Sequence, residues 1–283
     1  MSSMDRILTT HVGSLPRSQA VTDVLFARER DDAADPEMGA AVIAAAVADV
    51  VRRQAAVGID IVSDGEMSKI SYATYIAKRF SGFAGDTPRE PGQDLVEFPG
   101  LLTKLAERGS TAKYRRPRCV GAVRRTNAKP LLADLENLRA AAVATQPIEA
   151  FLNAASPGVI ALFQPNDHYR TQDEYLTALA EALRGEYEAI VAAGFILQID
   201  APDLAMGRHT MYRDRSLAEF DALAAQHIEV LNHALRNVPA ERARMHVCWG
   251  NYEGPHHHDV PLRTIIEGVL RARPAAISIS SRR

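Results

Sequence analysis

The chain has 283 residues, 47% of them hydrophobic and 24% charged, and a formal net charge of -2. That balance suits a globular protein with a large core and argues against a general nucleic-acid surface, which needs clustered basic charge. Two cysteines, Cys119 and Cys248, cannot build a disulfide framework, and no segment approaches the ~20 apolar residues of a membrane-spanning helix.

In chain order, the N-terminus MSSMDRILTT lacks a basic stretch followed by a long apolar one, so no secretory signal is expected and the cytoplasm is the expected compartment. RILTTHVGS (6–14) reads as a first strand. DPEMGAAVIAAAVADVVRRQAAVG reads as a helix with Asp35 as N-cap, Pro36 at its first position and Gly58 as its stop. IDIVSDGE (59–66) is a second strand, and the Gly- and Pro-rich residues 81–112 an irregular insertion. Lys113, Arg115, Arg116 and Arg118 form a short basic group that reads as a solvated loop, with an anion site as the alternative.

Further strands are expected at RCVGAVR (118–124), GVIALFQ (158–164), FILQIDAP (195–202), RMHVCWG (244–250) and AAISIS (275–280). TQDE (171–174) and SLAE (216–219) are capping boxes that open helices running to about Gly194 and Asn237. Asp259 is expected to cap a helix beginning near Pro261. Strand alternating with helix is the pattern of a parallel sheet covered by helices, and no G-x-G-x-x-G follows the first strand to support a dinucleotide site. The strand ends supply His11 and Ser14, Asp64 and Glu66, Asp200, and His246 with Cys248. Active-site groups cluster at the C-terminal strand ends of (β/α)8 barrels, so a TIM-type α/β barrel is expected.

His246 and Cys248 sit two apart on a strand, where side chains i and i+2 share a face and can converge on one ion. Imidazole nitrogen and thiolate suit Zn²⁺; a buried Cys beside a hydrogen-bonded His is the alternative. Glu66, after VSDG, reads either as a solvated helix-start carboxylate or as an acceptor for a substrate ammonium. Asp200 closes the apolar run ILQID, and a carboxylate buried there needs a partner. Gly13 and Ser14 leave backbone N–H groups and a hydroxyl available to a carboxylate. His256, His257 and His258, after Gly254 and Pro255, read as a solvated loop, with substitute metal ligands as the alternative.

TTHVGSLPR, VGIDIVSDGEMSK, LQIDAPDLAM and HVCWGNYEGP, in this order over nearly the whole chain, resemble the catalytic barrel of the cobalamin-independent methionine synthase family, above all its short single-domain members. The resemblance implies a methyltransferase in which zinc activates a thiol that attacks a methyl or alkyl group. Its partners would be a small thiol substrate and a methyl or alkyl donor such as a methyl-folate, with neither nucleic acid nor membrane. It also implies that Ser14 binds the substrate carboxylate, Glu66 and Asp200 its amino group, and His246 and Cys248 the zinc.

The chain departs from the family where the third zinc ligand, a Glu in an I-S-[FI]-E pattern, would stand: ISIS puts Ser280 there. The fourth ligand, a Cys near the end of the eighth strand, has no counterpart. The expectation is therefore a single truncated barrel domain over 1–283 with its last strand and flanking helices missing, zinc weakly held, and open sheet edges that favour a homo-oligomer. The alternative function is a catalytically inactive barrel that binds a small ligand or a partner.

Overall fold

A computed structural model describes residues 6–30, 35–71, 74–85, 87, 91–107, 116–250 and 254–280. Helices α1 (Gln19–Glu29) and α2 (Pro36–Ala56) precede strand β1 (Ile61–Ser63). Then come β2 (Phe83–Ala84), α3 (Gln93–Val96), α4 (Pro99–Glu107), β3 (Arg118–Cys119) and α5 (Lys129–Thr145). The remainder alternates regularly: β4 (Glu149–Ala155), α6 (Pro157–Phe163), α7 (Gln172–Ala192), β5 (Ile196–Asp200), α8 (Leu217–Ala234), β6 (Ala243–Val247), α9 (Leu262–Val269) and β7 (Ala276–Ile279).

Five strands form one parallel sheet in the order β1-β4-β5-β6-β7. The first segment adds to it through a single parallel bridge, Thr10 to Ile61. Each strand follows its spatial neighbour in sequence, so the sheet curls steadily in one direction as part of an α/β barrel. Among the described residues it stays open: no strand pairs with the outer edge of β7.

Residue alternation explains how the sheet carries chemistry on one side only. Leu152, Leu197, Ile199, Ala243, Met245 and Val247 face the helices and are almost wholly buried. Their alternate neighbours Asn153, Gln198, Asp200, Arg244 and His246 share the other face, because parallel register sets Asn153 beside Gln198, Gln198 beside Arg244, and Asp200 beside His246. Tyr175, Leu176, Leu179, Leu183, Tyr187 and Ile190 make the inward stripe of α7 that covers this sheet.

The helix punctuation acts locally as expected. Asp35 accepts from the N–H groups of Glu37 and Met38, and Gly58 ends the helix at φ 82. Ser216 and Glu219 form the full capping box. At 171–174 only half of the box forms, since Glu174 turns to Arg170 instead of the Thr171 N–H.

Other expectations are corrected. GVIALFQ is helix, not strand: Ser156 Oγ accepts from Val159 N at 2.9 Å, Pro157 takes the first turn, and Pro157 to Leu162 are all buried. A short helix buried all round shows no apolar period, which is why it resembles a core strand. The strand is the preceding EAFLNAA, masked by Glu, Asn and Ala, which are poor strand formers. Only Arg118 and Cys119 of 118–124 are strand, and they pair antiparallel with β2 outside the main sheet. Residues 81–112 are not wholly irregular, since they hold β2, α3 and α4.

Arg116 is not solvated: it is buried and donates to the carbonyls of Leu162 and Phe163 at 2.9 and 2.7 Å. Arg118 pairs with Asp167, while Lys113 and Arg115 lie outside the described residues. Asp259 does not cap α9, whose N-cap is Pro261; it faces His256 and His209. Among the described residues no helix is long and apolar enough to cross a membrane.

Candidate active site

The curl brings together groups from five segments at the C-terminal ends of the strands. Glu66 follows β1 through Asp64 and Gly65, and it adopts the left-handed conformation at φ 57. A non-glycine residue there is under strain unless its surroundings hold it. Here Asp64 Oδ1 accepts from its N–H at 3.0 Å, and its carbonyl accepts from Arg17 at 2.9 Å. The turn directs its carboxylate inward, where it is only 6% exposed. This rules out the solvated helix-start reading.

Asn153 of β4 joins the two candidate carboxylates. Its Nδ2 donates to Glu66 Oε1 and to Asp200 Oδ2, both at 2.9 Å. Its Oδ1 accepts from the buried Lys69 Nζ at 3.1 Å, and Lys69 also reaches Asp64 Oδ2 at 3.4 Å. The other oxygen of Asp200 accepts from Gln198 Nε2 at 2.8 Å. Gln198 in turn accepts from Arg244 Nε at 2.8 Å and donates to the Val12 carbonyl at 2.6 Å. Arg244 stacks on Phe151 at 3.8 Å and reaches Thr10 Oγ1 and the His11 carbonyl.

This network ties the N-terminal segment to the sheet. Gly13 is the tightest point: a Cβ there would stand 2.6 Å from Glu66 Oε1. Ser14 is its exposed neighbour, held at the same mouth by the Leu15 N–H bond to the Gly65 carbonyl. His11 is half-buried on this segment.

Burial is the main cause of the electrostatic shifts. Glu66 is pushed up to about 7, first by desolvation and then by the Asp200 charge, with Lys69 opposing. Asp200 is also raised by burial, against its hydrogen bonds from Asn153 and Gln198 and the nearby His246. Two carboxylates kept this dry and this close favour an incoming cation.

His246 and Cys248 lie at the end of β6, beside Asp200. Burial lowers the His246 pKa against the opposing Asp200 charge and the Ser278 backbone, and among the described residues its buried Nδ1 makes no well-formed hydrogen bond, so that atom suits a ligand. Burial pushes the Cys248 thiol up to about 11, so without a cation beside it the sulfur stays protonated. Ser280 stands one step beyond the last β6–β7 pair, with its N–H on the Val247 carbonyl at 3.2 Å and its side chain exposed. Among the described residues, no third His, Cys, Asp or Glu groups with His246 or Cys248 at metal-ligand spacing. The two donors fall short of the three that a catalytic zinc requires, so the residues described do not by themselves make a zinc centre.

Sequence reasoning missed Asn153, Gln198, Arg244 and Lys69. The alternation of β5 and β6 could have revealed Gln198 and Arg244, whereas Asn153 lay in a strand that the sequence concealed.

Residues 7–90, which hold the Gly13–Ser14 turn and Glu66, match the family model described as the cobalamin-independent synthase catalytic domain. The methionine synthase of Saccharolobus solfataricus is 25% identical over 268 residues, covering 94% of this chain and 70% of that protein. That of Sulfolobus acidocaldarius is 26% identical over 245 residues, covering 86% and 62%. Over most of its length the chain is similar to these methionine synthases. Their fold recurs in the structure of a B12-independent methionine synthase from Shewanella sp. W3-18-1 in complex with selenomethionine, at a TM-score of 0.61 and 20% identity over 87% of this chain and 63% of that one. The chain thus spans roughly two thirds of the length of these methionine synthases.

Proposed function

We propose that the chain binds a thiol-bearing α-amino acid of the homocysteine type at the barrel mouth, as part of methyl or alkyl transfer to sulfur. One observation carries this reading: a single amide, Asn153, holds the buried carboxylates of Glu66 and Asp200 on either side of it. An ammonium group is the cation such a pair accepts, with three donors for carboxylate oxygens. Binding it would draw the Glu66 proton off, so affinity should rise as pH passes about 7. The Gly13–Ser14 turn offers a hydroxyl and N–H groups to the ligand carboxylate. That the related Shewanella protein is described in complex with selenomethionine, an α-amino acid, agrees with this assignment.

His246 and Cys248 are the proposed zinc-binding part of the site, two donors of a larger set. We assign no chemical step to the metal, because the described residues do not complete it. That shortfall favours a second reading, a barrel that binds the amino acid without transferring a group to it.

Calorimetric titration with homocysteine and methionine, paired with a methyl-transfer assay using a methyl-folate donor, tests both. Binding that is lost in Glu66→Gln and Asp200→Asn supports the site, and turnover then separates the enzyme from the binding barrel. Equal binding by wild type and both variants would refute the site.

A further inference from the structure

A second group of metal-ligating side chains lies away from the strand face. Asp94 comes from α3, and His256 and Asp259 from the segment before α9. One ligand atom of each lies within 4.8 Å of the other two. Asp94 is wholly buried, and the side chains of His256 and Asp259 are 7% and 24% exposed. His209, also buried, approaches Asp259 Oδ1 with its Nδ1 at 3.4 Å. Neither His246 nor Cys248 belongs to this group.

We propose that Asp94, His256 and Asp259 form a binding site for a divalent transition metal such as Zn²⁺ or Co²⁺, with His209 positioning Asp259.

Charge argues for it first. Two carboxylates brought this close in a shielded setting repel each other, and a divalent cation between them replaces that repulsion with attraction. Donor chemistry comes next, since imidazole with carboxylates suits borderline first-row ions better than Mg²⁺ or Ca²⁺. Spacing is the third point. His256 Nδ1 stands 3.2 Å from both oxygens of Asp259. Donors sharing a tetrahedral ion through bonds of about 2.0–2.2 Å are separated by about 3.3–3.6 Å, so this long hydrogen-bond contact needs to open by only a few tenths of an ångström to admit one.

The neighbouring Glu97, His257 and His258 provide a contrast. There the imidazoles meet the carboxylate oxygens at 2.6 and 2.5 Å, which is direct hydrogen bonding that leaves no room for an ion, on an exposed surface. His256 is also held in the left-handed region at φ 55, a cost accepted where a side chain must be aimed. The expectation of a solvated His256–His258 loop fails at His256, whose ring is nearly buried against Asp259, and holds for His257 and His258, which pair with Glu97 at the surface.

The inference does not depend on the reading of the barrel mouth, and its test separates the two. Tag-free full-length chain carrying Cys248→Ser is stripped with a chelator and titrated with Co²⁺, followed by its visible d–d absorption and by competition with Zn²⁺. One equivalent should bind, with no thiolate charge-transfer band. His256→Ala or Asp259→Asn in that background should weaken binding at least about tenfold, since even outer-shell partners of metal ligands are worth 10–100-fold. His257→Ala with His258→Ala should leave it unchanged. Asp259→Asn is isosteric and carries the test if His256→Ala does not fold, as checked by circular dichroism. The proposal is overturned if the Cys248→Ser chain binds no Co²⁺, if Asp259→Asn binds as tightly as its parent, or if the His257/His258 variant alone abolishes binding.

Discussion

Replacing Glu66 by Gln should change how stability depends on pH, with a size that follows from the site. In the folded chain the carboxyl is raised from 4.5 to about 7, chiefly because it is desolvated beside Asp200. At 1.36 kcal/mol per pH unit, that ties about 3 kcal/mol of stability to its proton. For a group whose pKa is raised by folding, this stability is fully present below pH 4.5 and is lost as pH rises through about 7. Glutamine keeps the shape and the Asn153 contact but cannot ionise. Urea unfolding of both proteins from pH 4.5 to pH 8 reads the Glu66 effect together with its interaction with Asp200, the remaining titrating groups being common to both. Relative to its difference at pH 4.5, Glu66→Gln should gain about 3 kcal/mol on wild type by pH 8, or roughly 5–10 °C in a melting experiment on a domain of this size. A difference that stays flat within about 0.5 kcal/mol would refute the reasoning, because a solvated or firmly ion-paired Glu66 behaves that way.

Gly13→Ala should weaken amino-acid binding by at least tenfold in calorimetry, since its Cβ would stand 2.6 Å from Glu66 Oε1 and must displace that carboxylate. Ser280→Glu should improve zinc retention during dialysis over the wild-type chain, measured by atomic absorption, yet short of a full equivalent, because it adds one donor to His246 and Cys248. Glu186→Ala should destabilise the chain by about 3–5 kcal/mol in urea unfolding, because it strands the buried Arg79 guanidinium that Glu186 now holds at 2.6 and 2.7 Å. Light scattering should show self-association that Ile277→Lys reduces, because the outer edge of β7 is unpaired among the described residues.

Much of this protein is decided within short stretches of chain. Asp35, Pro36 and Gly58 bound a helix, Ser216 and Glu219 cap another, and the alternation in LQID and RMHV alone sets Asp200 and His246 on the polar face of their strands. Such features depend on neighbours within a few residues, so the sequence determines them by itself. The pairing that makes the site does not work that way. Asn153 meets Glu66 across 87 residues and Asp200 across 47, and nothing local marks it, because it sits in a strand whose residues are poor strand formers. GVIALF likewise opens on a local Ser156–Pro157 cap, but tertiary packing buries nearly all its sides and removes the periodic signal that would mark it as helix. The shift of Glu66 and the meeting of Asp94 with His256 and Asp259 exist only once distant segments exclude water together. Desolvation and long-range contact are properties of the folded chain, and only the tertiary structure decided them.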